Sequence, residues 1–230
     1  LKAKRVAGGY QIKGALPWVS NVGEDGHFGI VFETDEGKRV MAVAGAAWEG
    51  VKTTLDHDFV AMGGTATRAI QFRDALIPDD YILADPIDDY LKQIRPGFVL
   101  MQCGMGIGMI RSCIDLMEQV KDQLGHVNKY LPDQPEDFAE ILEGIETELA
   151  ALAPTPRTTD IGYFRRVLAL RLKCGETSVA AATAAMLHQG ARGYVGRGVA
   201  QRRLREAYFV AIVTPATKQL RKMLAELPKH

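Results

Sequence analysis

Apolar and polar positions alternate along the first third of the chain, in short runs separated by turn residues. Gly8-Gly9-Tyr10-Gln11-Ile12 leads to Gly14 and then to Pro17-Trp18-Val19-Ser20-Asn21. Ile30 to Thr34 and Lys38 to Val43 form the arms of a hairpin joined through Asp35-Glu36-Gly37, where glycine supplies the positive φ that such turns use. Val51 to Leu55 and Ala69 to Phe72 read as further strands, and Ile77-Pro78 closes the set. The pattern predicts a β-domain over residues 1–84, built as a small barrel or sandwich.

After Asp85-Pro86 the period lengthens from two to about 3.6. Helical patterns cover Tyr90 to Leu124, Glu136 to Leu152, Thr159 to Leu187 and Val199 to Leu227. In the second of these, Phe138, Ile141, Leu142, Ile145, Leu149 and Leu152 share one stripe, with glutamates around the remainder. Prolines at 132 and 135 and at 154 and 156 mark its ends. Strands first and helices afterwards is the segregated α+β order, so residues 85–230 are expected to form an antiparallel four-helix bundle.

Composition narrows the function classes. The 230 residues carry 28 basic and 28 acidic side chains, so no net charge pulls the chain toward nucleic acid or an anionic membrane. No uninterrupted apolar run reaches the roughly 18 residues of a membrane span, because Gln102 and three glycines break up Val99 to Met109. Leu1-Lys-Ala-Lys-Arg5 has neither an apolar core nor a cleavage site, and reads as entry into the middle of a longer chain rather than a signal peptide. Three cysteines without a C-x-x-C pair support neither a disulfide framework nor a zinc site and suggest a reducing, cytoplasmic setting. His27, His57, His126 and His188 have no spacing that suggests a metal.

Charge is uneven locally. Asp115 to Glu148 holds ten acidic residues against Lys121 and Lys129, whereas Arg192 to His230 holds nine basic residues against Glu206 and Glu226. With few aromatics among them, these blocks read as complementary faces of packed helices or subunits in preference to a nucleic-acid groove.

Four motifs, in order and spread over nearly the whole chain, resemble a known family. Gly8-Gly9-Tyr10-x-Ile12-x-Gly14-x-x-x-Trp18-Val19-Ser20-Asn21 resembles the acyl-CoA dehydrogenase segment GGY-x-L-x-G-x-K-x-W-I-T-N. Met62-Gly63-Gly64-Thr65-Ala66-Thr67, followed by Ile70-x-Phe72-x-Asp74-Ala75-x-Ile77-Pro78, is similar to that family's L-G-x-R-x-T-x-x-x-x-x-F-x-D-V-x-V-P. Gln189-Gly190-Ala191-Arg192-Gly193-Tyr194 resembles its G-G-x-G-Y turn, and Ala200 to Ala207 its R-x-x-R-D-A helix. The resemblance implies a central β-domain and a C-terminal bundle that assembles tetramers with FAD between subunits. By that comparison the family's N-terminal helical domain lies outside this sequence, so the chain is expected to be a fragment or to pair with a second chain that supplies the missing part. Such a piece should expose large apolar patches and behave poorly alone.

The family's reaction removes an α-proton from an acyl thioester with a carboxylate while hydride passes to the flavin. The usual base position matches Thr214, within Val213-Thr214-Pro215-Ala216, and the alternative position on the first bundle helix matches Phe98; neither is an acid. The family's R-x-x-F-G flavin contact has no match in His126 to Leu131. Trp18 and Ser20 match residues along the isoalloxazine, and Gln189, Gly190 and Gly193 match the turn that reaches the cofactor from a neighbouring subunit. The resemblance therefore implies an FAD flavoprotein oxidoreductase, or a subunit of one, without the standard dehydrogenation base. Its alternatives are a flavin-dependent monooxygenase of the same fold and a catalytically silent partner of an active dehydrogenase. The substrate class is acyl-CoA or another small molecule.

Other signals have plainer readings. Cys103-Gly104-Met105-Gly106-Ile107-Gly108 lacks the third glycine of a dinucleotide loop and reads as small residues that let helices approach. By itself Trp18 also reads as a core aromatic. Glu176 and Glu206 are the carboxylates best placed to approach the bundle interior, with an ion pair between Arg205 and Glu206 as the structural role of the latter.

Overall fold

In a computed structural model, which describes residues 1–54 and 57–228, the chain divides into two compact units, Leu1–Lys92 and Gln93–His230. The first holds a seven-stranded mixed sheet: β1 (Lys2–Val6), β2 (Gly9–Val19), β3 (His27–Thr34), β4 (Arg39–Gly45), β5 (Val51–Thr53), β6 (Arg68–Pro78) and β7 (Ile82–Ala84). Strand order is β5-β6-β2-β1-β3-β4-β7, antiparallel except for β1 beside β3. The expected β2 segments merge into one strand of 11 residues, and Leu55 of the fifth expected strand lies outside the described residues. Among the described residues the sheet does not close into a barrel: its end strands β5 and β7, of three residues each, do not pair with one another.

Alternation decides which face is buried. Ile12, Ile30, Phe32, Val40, Ala42, Ile70, Phe72 and Ile77 are all almost fully buried in one cluster. Their polar neighbours along the strands face out, as period-two burial requires. Tyr10 joins this core through its ring against Phe32, and its hydroxyl donates to Asp85.

The second unit takes in the rest of α1 (Asp88–Met101) with α2 (Cys103–Glu118), α3 (Lys121–Asn128), α4 (Pro135–Leu152), α5 (Ile161–Gln189), α6 (Val199–Ile212) and α7 (Thr217–Glu226). The α+β class and the bundle follow the sequence reading, with α2, α4, α5 and α6 packed around one core. Two expected helices are interrupted: Tyr90 to Leu124 at Gln102 and again at Gln119–Val120, and Val199 to Leu227 at residues 213–216. The break at 213–216 centres on Pro215, which has no N–H to continue a helix and follows a cis peptide bond. Asp160 caps α5 by accepting the Tyr163 N–H at 2.6 Å.

The helical stretch Asp88–Glu118 has 31 residues and a mean hydropathy of 1.4 in its most apolar window, which is long and apolar enough to cross a bilayer. The sequence reading missed this by requiring an uninterrupted run, whereas glycines and a single glutamine lower mean hydropathy little. Val99, Leu100, Cys103, Ile107, Ile110 and Cys113 from this stretch are buried in the bundle core.

Candidate functional site

The loop after β5 gives the β-unit its most distinctive backbone. Met62, Ala66 and Asn21 adopt positive φ values of 65°, 47° and 59°, a region that non-glycine residues enter only when neighbouring contacts hold them there. Those contacts are on the loop itself: Asn21 N–H donates to the Thr65 carbonyl at 2.8 Å and Val22 N–H to the Ala66 carbonyl at 3.2 Å. The 62–67 loop is thereby fixed against the end of β2.

This clamp gathers three hydroxyls. Thr67 Oγ1 lies 2.8 Å from Ser20 Oγ and 2.8 Å from Thr65 Oγ1, and Thr65 donates to the Met62 carbonyl at 2.7 Å. Trp18, two residues before Ser20 in sequence and near the end of β2, has 67% of its surface exposed. That exposure overturns the core reading of Trp18. The end of β2 thus carries an exposed indole and, two residues on, a short chain of hydroxyls able both to donate and to accept, groups that suit a flat heteroaromatic with polar edges.

The second set of expected residues lies at the end of α5. Gly190 closes the helix with φ 55°, and a Cβ on Gly193 would sit 2.9 Å from Gln189 Cβ and 3.3 Å from Ala200 Cβ, so glycine is needed there for packing. The Gln189 amide donates to the Leu116 carbonyl at 2.5 Å, which holds the end of α5 against the last turns of α2. His188 is buried, its ring nitrogen 2.9 Å from the Asp133 carbonyl, and Asn128 donates to the His188 carbonyl at 3.0 Å. The end of α5 is thereby anchored just before the turn, where Gly190 is exposed.

Thr214 and Phe98 also lie in the helical unit. Phe98 is half exposed on α1. Thr214 is exposed in the α6–α7 connection, where its carbonyl accepts from Gln102 Nε2 at 2.9 Å. Gln102 is held in turn by Arg171 Nε, which donates to Oε1 at 3.1 Å, while Arg171 Nη2 donates to the Val210 carbonyl at 2.5 Å. Arg171 is 1% exposed and its Nη1 has no hydrogen-bond partner among the described residues; burial pushes its pKa down. Sequence reasoning passed over this arginine because it occupies an apolar stripe position without a nearby acid.

The two carboxylates singled out earlier are used structurally. Glu176 binds Arg221 at 2.5 Å on the surface. Glu206 pairs with Arg203 at 2.5 Å and Arg202 at 3.5 Å, and the expected pairing with Arg205 is not the one formed, because residues three and four apart share a helix face and adjacent ones do not. Of the glycines in 104–108, Gly106 makes the close helix approach, since a Cβ there would lie 2.7 Å from Cys174 Cβ; Gly104 and Gly108 face open space. Acids of the 115–148 block pair with Arg111, Lys121 and Arg166, all outside the 192–230 basic block.

No protein-family model matches the chain, and no curated protein matches it in sequence. Solved structures do. Butyryl-CoA dehydrogenase from Megasphaera elsdenii superposes with a TM-score of 0.82 at 13% identity, over 97% of this chain and 62% of that one. Dibenzothiophene monooxygenase (TdsC) from Paenibacillus sp. A11-2 gives 0.80 at 14% identity, over 97% and 66%. KijD3, solved with FMN and a dTDP-sugar, gives 0.80 at 18% identity, over 97% and 60%. The chain thus spans less than two thirds of the length of each of these structures. Likeness at such identities carries the fold and nothing finer, and that fold is the middle β-domain and C-terminal helical domain of the acyl-CoA dehydrogenases, a partial acyl-CoA dehydrogenase fold.

Proposed function

We propose that the chain is the flavin-contacting part of an oxidoreductase, working as part of an oligomer, and that it does not supply the base of an α,β-dehydrogenation. The exposed Trp18, two residues along the chain from the Ser20–Thr67–Thr65 hydroxyls, carries the reading. These groups fit a flavin: the indole offers a flat apolar face and the hydroxyls offer hydrogen bonds to a polar ring edge. Gly190 and Gly193 would hold the flavin from another copy, with Gln189 fixing their turn by its bond to Leu116. FAD is the form that the family resemblance favours. When bound, a flavin supplies hydride or electron transfer; the chain's own residues bind and orient it.

Thr214 and Phe98 offer no group that takes a proton from a carbon acid near neutral pH. A monooxygenase is the second reading, favoured by this lack of a base and by the likeness to dibenzothiophene monooxygenase. Oligomer formation is supported by a surface on the helical unit. Gln102–Thr214 and Arg203–Ser112 (2.7 Å) set α2 antiparallel to α6; Met105 on α2 and Tyr208 and Ile212 on α6 are exposed along this stretch, with Met101 just before it. That surface suits a tetramer of this chain or a complex with a second chain.

The visible spectrum of natively purified protein tests the proposal, with FAD and FMN added separately to the colourless fraction. Retained flavin that anaerobic butyryl-CoA does not bleach is expected. A protein that takes up neither flavin overturns the reading in favour of a silent partner, and bleaching by the thioester overturns the assignment of Thr214.

A further inference from the structure

A hydroxyl taken alone both donates and accepts, but the three hydroxyls at the end of β2 are joined so that each proton has one place to go. Each hydroxyl carries a single hydrogen, and a carbonyl carries none. Across the 2.7 Å contact with the Met62 carbonyl, Thr65 Oγ1 is therefore the donor. With that proton spent, Thr65 Oγ1 only accepts across its 2.8 Å contact with Thr67 Oγ1, so Thr67 donates there. Thr67 Oγ1 in turn only accepts across its 2.8 Å contact with Ser20 Oγ, and Ser20 gives its proton inward. The reverse order would leave Thr65 Oγ1 and the Met62 carbonyl oxygen 2.7 Å apart with no proton between them. The two ends of the chain differ in exposure, since Thr65 and Thr67 are half-buried and Ser20 is exposed. The main-chain donors that follow Ser20 are also spent on the loop: Asn21 N–H on the Thr65 carbonyl and Val22 N–H on the Ala66 carbonyl. What Ser20 Oγ turns outward is lone pairs.

We propose that Ser20 is an acceptor in this site and takes a ring N–H of the flavin, with Thr65 and Thr67 as positioning residues that hold its proton inward. The inference rests on the flavin reading given above and sharpens it. An oxidised flavin ring has one N–H, at N3, and reduction adds another at N5; the remaining polar atoms of the oxidised ring are acceptors, which would meet Ser20 lone pair to lone pair. At N5 an accepting Ser20 holds the reduced ring more tightly than the oxidised one. At N3 it holds the protonated ring more tightly than the deprotonated one. A donating Ser20 has the opposite sign in both cases.

The test compares the native 230-residue chain with Ser20→Ala, each loaded with FAD. Two quantities are read: the relative affinity for reduced and oxidised FAD, from the midpoint potential, and the pH at which the bound oxidised ring loses its N3 proton, from its absorption. Loss of an acceptor is expected to move one of them by the equivalent of about threefold to tenfold, toward the oxidised ring or toward the deprotonated ring. Thr65→Val, which removes the inner acceptor and frees the Ser20 proton to turn outward, is expected to move the same quantity the same way, and Thr65→Ser to leave it at the native value. A shift of opposite sign in Ser20→Ala overturns the proposal, because Ser20 then donates. So do native values for both quantities in Ser20→Ala, which would put the hydroxyl chain away from the ring. Native values in Thr65→Val overturn the positioning role of Thr65 and Thr67. A native chain that takes up no FAD overturns the flavin reading itself and this assignment with it.

Discussion

Arg171 brings a full charge into the helical core with one nitrogen unsatisfied, and its other two donors organise the chain around it. Its bonds to Gln102 and to the Val210 carbonyl join the α1–α2 break to the end of α6, one step from the Thr214 connection. Arg171→Met leaves Gln102 Oε1 and the Val210 carbonyl unpaired in the interior but relieves the burial of a charge. The balance is expected to cost about 1–3 kcal/mol, read as a lower urea midpoint with unchanged slope. Tyr10 is the corresponding residue of the β-unit. Its bond to Asp85, with burial second, pushes its pKa up from 10.0 to about 12. A raised folded-state pKa contributes stability that is full below the unfolded value near 10 and is lost as pH rises through about 12. Urea unfolding at pH 9 and pH 11.5 is expected to show a loss of about 1–2 kcal/mol in the native protein, and less in Tyr10→Phe. At this scale the sequence was partly legible. Trp18 and Ser20 are singled out by their motif, but Thr65 and Thr67 join Ser20 only through positive φ at Met62 and Ala66, which no residue type announces.

Among the helices, α2 shows how one glycine-rich sequence serves two faces. Gly106 is required by contact with Cys174, and Gly106→Ala is expected to destabilise by about 1–3 kcal/mol through overpacking. Gly108 has nothing within 4 Å, so Gly108→Ala is expected to stabilise the isolated chain by about 0.5–1 kcal/mol through helix propensity. Thermal melts of the two variants, run side by side at low protein concentration, check the opposite signs. Sequence periodicity located every helical region but not the breaks. Residues on both sides of Gln102 keep a helical pattern, so the interruption there becomes visible only when its side chain is seen to be taken up by Arg171 and the Thr214 carbonyl. Pro215 did carry a signal, and the period simply resumes on either side of it.

For the molecule as a whole, exposed apolar surface decides behaviour more than charge does. The ion pairs Arg111–Glu146, Lys121–Glu136 and Arg166–Glu148 are solvent-exposed and screened, worth about 0–1 kcal/mol each. The exposed Met101, Met105, Tyr208 and Ile212 of the helical unit are the stronger influence, and sedimentation is expected to show concentration-dependent association. Ile212→Glu, at a position 65% exposed, should shift that distribution toward monomer with little loss of folding stability. A sedimentation profile unchanged by the substitution would place the association surface elsewhere.

The placement of two residue types has one more consequence. Both tryptophans, Trp18 and Trp48, fall in the β-unit, and all three cysteines, Cys103, Cys113 and Cys174, are buried in the helical unit as free thiols. Indole emission therefore follows one half of the chain and thiol labelling the other, with no added probe. The gap between the two denaturation midpoints measures how strongly the halves depend on each other.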